Sequence, residues 1–221
     1  MLITADQIRA ARALKNWSQT DLAERTGLAV PTIANIELGK QMPGKSTIEK
    51  IIDAFSVSGI HFTKNGVEFS QNEIFSLIGD GKFKNFLFDA LQTLQQLPPK
   101  DRVFMAINAE DIATTQEEID LYAEMLKNKI SLKRIVSEKA IINISQFDTK
   151  VIQHKYSDDK GAVFLFANKI GFYTGKDEDQ EPTTLIVTNA RIAEIYRKTF
   201  TYMWDSLSPA KTANDEKKGR K

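Results

Sequence analysis

Val30, Pro31, Thr32 and Asn35 share one face of a short helical stretch whose opposite face carries Ile33 and Ile36. The isoleucines call for a core. The other face offers short, unhindered side chains to something flat and deep, and the major groove of DNA, which admits one α-helix, fits that description. Catalytic patterns are missing: there is no G-x-S-x-G, no Walker loop, no H-E-x-x-H and no glycine fingerprint at a strand-to-helix turn. Asp177, Glu178, Asp179 and Glu181, beside Pro182, read as a solvated loop rather than a cation site. Glu110 and Asp111 follow a strand at a place where α/β sheets often bind ligands.

The elements that must hold the reading face announce their own ends. Ser18 caps one helix, Asp21 completes a capping box, and Trp17 with Leu22 forms the apolar staple before it. Gly27 supplies a left-handed stop, Leu28 its apolar partner, and Pro31 opens the next helix where a missing N–H costs little. A plain helical hairpin would use the same caps and the same inward isoleucines, but two flanking helices complete a bundle here. Thr4 and Gln7 start one ahead of Ile8, Ala11 and Leu14; Ser46 and Glu49 start the other ahead of Ile48, Ile51, Ile52 and Phe55.

Residues 3 to 58 resemble the helix-turn-helix domain of the phage repressor and Cro (Xre) family, through the strings W-S-Q-x-D-L-A-x-x-T-G and T-I-x-x-I-E-x-G-K. The resemblance implies a five-helix-type domain and roles residue by residue. Gln19 bonds a phosphate through its amide and orients the reading side chains. Val30, Pro31, Thr32 and Asn35 face the base edges, with Asn35 placed for a paired contact to adenine. Lys40 and Lys45, in the loop after the recognition helix, contact phosphates. Arg12 and Glu37 pair across helices as a partly buried, structural ion pair, although an Arg on the first helix could instead touch phosphate. Ala29 departs from the family, which places a capping Ser or Thr there. With Val30 and Pro31 it makes the reading face apolar, favouring thymine methyl contacts.

Composition narrows the classes further. A chain of 221 residues with 42% hydrophobic content can build two ordinary cores. No cysteine is present, which excludes disulfides, thiolate catalysis and sulfur-ligated zinc, and His61 and His154 leave little for another metal site, so no metal or cofactor is expected. A net charge of +1 requires any nucleic-acid contact to be local. There is no apolar run long enough to span a bilayer and no signal-peptide core at the amino terminus, so a cytoplasmic protein without membrane contact is expected.

Beyond the bundle, IHFTKNGVEFS (60–70) alternates around Asn65-Gly66, predicting a hairpin with Phe62 opposite Phe69. So short a ribbon needs cover, from the second domain or a partner subunit. A helix follows from Phe83 to Leu97, then strand Val103 to Ile107, a helix through Tyr122 and Leu126, and strand Leu132 to Val136. Strands near Val151 to Tyr156, Ala162 to Phe166, Ile170 to Tyr173 and Leu185 to Val187 precede a closing helix capped by Asn189. Its Ile192, Ile195, Tyr196, Phe200, Met203 and Trp204 mark a buried face. The predicted organisation is α plus α/β: a helix-turn-helix domain with hairpin at 1–70, an α/β domain at 71–207 and a disordered basic tail at 208–221, with five basic residues against two acidic.

The order of pieces over residues 81 to 207, with K-V-I-Q-H-K-Y, A-V-F-L-F-A-N-K-I-G-F-Y and A-R-I-A-E-I-Y-R-K-T-F-T-Y-M-W, resembles the phospholipase-D-like sensory domain of some bacterial and archaeal regulators, including the TrmB type. The catalytic version of that fold uses H-x-K-x-x-x-x-D. Here Lys155 follows His154 directly and Tyr156 stands where the lysine belongs, so the nucleophile role does not carry over, and His154 reads as a strand residue facing solvent or a neighbour. The expectation is a homodimeric transcriptional regulator, a repressor rather than an activator and not an enzyme. It binds a pseudo-palindromic double-stranded operator, and its second domain dimerises and senses a small-molecule effector. The alternatives are an antitoxin or phage-type regulator whose second domain binds a protein, and a DNA-targeted phosphodiesterase.

Overall fold

The computed structural model describes residues 3–70, 73–79, 81–109, 115–140, 147–154, 161–175 and 181–209. Glu110 with Asp111, Lys155 with Tyr156, Asp177 to Asp179 and the tail from residue 210 lie outside these residues.

Four helices open the chain: α1 (Ala5–Lys15), α2 (Gln19–Thr26), α3 (Val30–Glu37) and α4 (Lys45–Ser56). The first two begin in reciprocal capping boxes, Thr4 with Gln7 and Ser18 with Asp21, and end on left-handed residues, Asn16 and Gly27. The Ser46 start is corrected. The Gly44 carbonyl accepts from the Ile48 N–H, so α4 begins two residues earlier without a side-chain cap, and Lys45 is its first residue rather than a loop residue. Ile8, Leu22, Ile33, Ile36, Ile51 and Phe55 close the core, and Trp17 stacks on Phe55 at 4.9 Å. Leu14 faces outward, 54% exposed.

In place of a fifth helix come β1 (Ile60–Thr63) and β2 (Gly66–Phe69). The hairpin finds its cover within its own head: Phe62 and Val67 pack on the helical core, and the Gln7 side-chain amide donates to the carbonyls of Thr63 and Gly66 at 2.8 and 2.9 Å. That clamp also sets the register. Phe62 pairs with Val67 and Ile60 with Phe69, a two-residue shift that keeps every side chain on its expected face while moving the turn to Lys64-Asn65.

The rest of the chain builds an eight-stranded mixed sheet from β3 (Glu73–Ile78), β4 (Val103–Ile107), β5 (Ser131–Ser137), β6 (Asp148–Ile152), β7 (Gly161–Phe166), β8 (Lys169–Thr174), β9 (Thr183–Thr188) and β10 (Ser208–Pro209), in the order β10-β6-β5-β4-β7-β8-β9-β3. β4, β5 and β6 are parallel, and the remaining pairs are antiparallel. α5 (Phe83–Leu94) and α6 (Gln116–Lys127) cover one face over an aromatic core in which Phe83, Phe86, Phe104, Phe164 and Phe166 touch ring to ring. α7 (Ala190–Ser206), capped by the Asn189 side chain, lies on the other face.

Four expectations change here. β3 carries no turn signal that would isolate it, and it pairs in full with the distant β9. β6 ends at Ile152, before His154. Ser208 and Pro209 pair with β6 instead of joining a disordered tail. On α7, Ala193 and Phe200 are buried and Tyr196 packs on Phe172, but Ile192 and Ile195 are exposed, 40% and 63%, because a single helix rests on the sheet along a narrower strip than its apolar face provides.

The two parts meet along α5. Lys169, paired with Asp89 at 2.5 Å within the sheet domain, donates across to the Val57 carbonyl, Lys82 pairs with Asp53, and Ser58 Oγ lies 3.3 Å from Asp89 Oδ1.

Candidate nucleic-acid interface

α3 presents its two faces as the residue types require. Ile33 and Ile36 are buried, whereas Val30, Pro31 and Asn35 are exposed and Thr32 is half-buried. Ala29 makes no side-chain bond to the helix start; Pro31 has no N–H to offer, and the Thr32 N–H turns to the Ala29 carbonyl at 2.9 Å. Past the helix, the N–H groups of Lys40 and Gln41 both bond the Asn35 carbonyl, which fixes the turn that carries Lys40 outward. Lys45 is also exposed, 4.0 Å from Glu49.

Behind the reading face stands a charge clamp. The Arg12 guanidinium meets Glu37 with two hydrogen bonds, Nε to Oε1 at 2.6 Å and a terminal nitrogen to Oε2 at 2.9 Å, and its other terminal nitrogen holds the Trp17 carbonyl at 2.6 Å. Burial pushes the Glu37 carboxyl up, but the hydrogen bonds from Arg12 and Gln19 more than reverse this and leave it below the usual carboxylate range. The hydrogen bond to Glu37 raises Arg12 in turn. Arg12 is therefore occupied by protein, and the phosphate alternative for it falls away. Gln19 joins the same clamp, its side-chain nitrogen donating to Glu37 Oε2 at 2.8 Å, so its amide is oriented by a charge that α3 itself carries. Arg9, which drew no notice in the sequence, bonds the Glu37 carbonyl at the end of α3. Its position one turn before Arg12 was the available signal.

The structure thus brings Gln19, Thr32 and Asn35 into one region around α3 and leaves Lys40 and Lys45 at its carboxyl-terminal margin. His154 stands apart, just past β6, with Nδ1 3.1 Å from Ser137 Oγ. Among the described residues, no three His, Cys, Asp or Glu side chains converge as a metal site, and no helix is long and apolar enough to cross a membrane.

Comparison with known proteins gives two kinds of likeness. Several solved structures are similar in part, among them the three that follow. The archaeal chromatin protein TrmBL2, described with a novel mode of DNA binding, matches at 10% identity with TM-score 0.43, over 64% of this chain and 55% of its own. This chain therefore spans little more than half of that protein. The phospholipase D family member Nuc from Salmonella typhimurium matches at 9% identity and TM-score 0.42 over 63% of this chain and 100% of its own. NucT from Helicobacter pylori gives 10% and 0.42 over 62% and 99%. No curated protein sequence matches. The helix-turn-helix family model matches residues 8–61, the span that holds α2, α3 and the Arg12–Glu37 clamp, and this part of the chain is a DNA-binding helix-turn-helix domain of the Cro/C1 type.

Proposed function

We propose that the chain is a sequence-specific transcriptional repressor of the cytoplasm that acts as a homodimer and whose sheet domain dimerises and senses a small effector. The observation that carries this reading is α3, pinned from behind by Ile33, Ile36 and the Arg12–Glu37–Gln19 clamp while Val30, Pro31 and Asn35 are exposed in front and Thr32 is half-buried beside them. A helix so held can enter a major groove without losing any contact to its own domain. In this reading Asn35 makes the paired base contact, Val30 and Pro31 meet thymine methyls, and the second amide N–H of Gln19 reaches phosphate beside Lys40 and Lys45. Occupying a site is enough to repress, whereas activation needs a further contact to polymerase.

Dimerisation is supported by surface chemistry. Ile74 pairs across the sheet with Val187, and Val187 with Ile170, which packs beneath α7, so Ile74 and Ile78 share the α7 side of the sheet with the exposed Ile192, Ile195 and Tyr202. Together with the outer edge of β3 this is an apolar surface that a second copy of the chain can cover. The sheet domain is proposed to lack phosphodiesterase activity, since His154 has no lysine two residues on.

Site selection from random DNA followed by footprinting tests the reading. The selected sites should be pseudo-palindromes with half-sites about one helical turn apart, or a multiple of it. Asn35→Ala should lose about 1–3 kcal/mol on the selected site and little on random DNA, whereas Lys40→Ala should weaken both alike and flatten the salt dependence. Equal losses on both DNAs for Asn35→Ala, or a monomer at micromolar concentration protecting one half-site, would contradict it.

A further inference from the structure

The seam between the helical head and the sheet domain contains more buried positive charge than the chain neutralises. A polar cavity of about 260 Å³ opens between α1, α2 and α5, with Lys15, Arg25, Asp89, Gln92, Thr93 and Gln96 in its wall. Asp89 is the carboxylate of that wall among the described residues, and it is already engaged by Lys169 through Oδ2 and lies 3.3 Å from Ser58 Oγ through Oδ1. Arg25 is 9% exposed, yet its Nε is buried without a hydrogen-bond partner among the described residues. An orphaned guanidinium N–H is costly in a folded protein, and natural structures rarely leave one. The guanidinium carbon lies over two rings, Trp17 of the head at 3.9 Å and Phe88 of α5 at 4.9 Å, and the side chain forms part of the cavity wall.

We propose that this cavity binds a small anion with carboxylate or phosphoryl-type oxygens, with Arg25 as the planar fork, Lys15 as the second cation, and Gln92, Thr93 and Gln96 as neutral hydrogen-bonding partners. Its volume, set against about 30 Å³ for one water in the liquid, accommodates a molecule of that size. The charge pattern points the same way. Burial, and after it the nearby Lys169, pushes the Lys15 ammonium below the ordinary lysine range. Burial likewise pushes the Arg25 guanidinium down, and the attraction of Asp89, Asp21 and Glu24 does not undo it. Because the wall is shared by α1 and α2 of the head and α5 of the sheet domain, the bound anion fixes the head against the sheet and biases the arrangement two heads present to DNA. This regulatory consequence rests on the proposed repressor function; the binding itself does not.

Trp17 stands in the cavity wall and Trp204 on α7 is the other tryptophan, so Trp204→Phe leaves one fluorophore at the site. The full chain carrying this change is titrated with sodium phosphate and, separately, with sodium succinate, at ionic strength held constant with sodium chloride, with calorimetry in parallel. The expected result is a saturable change in Trp17 emission with at least one of the two anions, weakened about tenfold by Arg25→Lys, which keeps the charge and loses the fork. Gln96→Leu, at the exposed rim where folding does not depend on it, should weaken binding about threefold, the scale of one neutral hydrogen bond. Saturation by phosphate alone identifies a phosphorylated ligand, and by succinate alone a dicarboxylate. A response that stays linear and equals that of chloride, or saturable binding unchanged in both variants, overturns the proposal. No DNA enters the measurement, so loss of operator binding and loss of anion binding are read separately.

Discussion

The helical head and the sheet domain are stabilised by opposite means. The head is four short helices around aliphatic side chains and three aromatics, Trp17, Phe55 and Phe62, and it spends its one deeply buried carboxylate, Glu37, on pinning α3. The sheet domain joins strands far apart in sequence and fills one face with interlocked phenylalanines, while its other face is covered, among the described residues, by α7. A region organised by local caps tolerates change except at its charge clamp. One organised by long-range aromatic packing is vulnerable wherever volume changes. Each half has a tryptophan, Trp17 in the head and Trp204 on α7, so the two can be followed separately.

The largest effect should come from breaking the clamp. Arg12→Ala leaves Glu37, whose side chain is 3% exposed, without its cation, and should destabilise the head by about 3–5 kcal/mol in urea unfolding followed through Trp17. The sign of its pH dependence follows from the carboxyl. In the intact chain Glu37 titrates below its unfolded value, so its contribution is present above about pH 4.3 and is lost as pH falls through the folded value. In Arg12→Ala the unpaired carboxyl is instead relieved by protonation, so the penalty should shrink on acidification. A loss under about 1 kcal/mol, typical of exposed pairs, would show that the clamp contributes only as a surface bridge does.

The contrast also explains what could be read in advance. Thr4 with Gln7, Ser18 with Asp21, and Gly27 act within four residues of themselves, and the head they define lies where the sequence placed it. The apolar runs Val103–Ile107 and Ala162–Phe166 located their strands equally well. What failed was non-local. The hairpin register depends on Gln7 reaching across from α1, and β3 becomes a strand because β9 completes it. At the seam, Arg25, Asp89 and Lys169 are three unremarkable charges in sequence, and only the docking of α5 on the head brings them together.

An intermediate effect should follow from adding one methyl group to the sheet. Gly171 on β8 faces the Phe86 ring, and a Cβ there would lie 2.6 Å from Cζ and 2.9 Å from Cε2. Phe86 is fully buried against Phe83, Phe164 and Phe166 and has nowhere to retreat. Gly171→Ala should therefore cost about 1–3 kcal/mol, as overpacking does, with the Trp204 signal shifting more than the Trp17 signal. Equal shifts in both would mean that the halves unfold as one unit through the α5 seam.

The smallest effect should be a gain. Ala29 precedes α3 in extended backbone, φ −69° and ψ 142°, the conformation a capping residue needs, but it has no side chain to accept an N–H. Thr4 and Ser18 show what the same geometry yields when a hydroxyl is present. Ala29→Ser should stabilise the head by about 0.5–1 kcal/mol, read as a rise in the urea midpoint of the Trp17 transition with its slope unchanged. The change touches neither Ile33 nor Ile36, nor the reading positions Val30, Thr32 and Asn35, so sequence preference on selected DNA should be retained. If stability rises while DNA affinity falls, the Val30 or Thr32 N–H at the start of α3 is being used by a phosphate, which would move the head's backbone contacts from the lysines at its margin to the helix start itself.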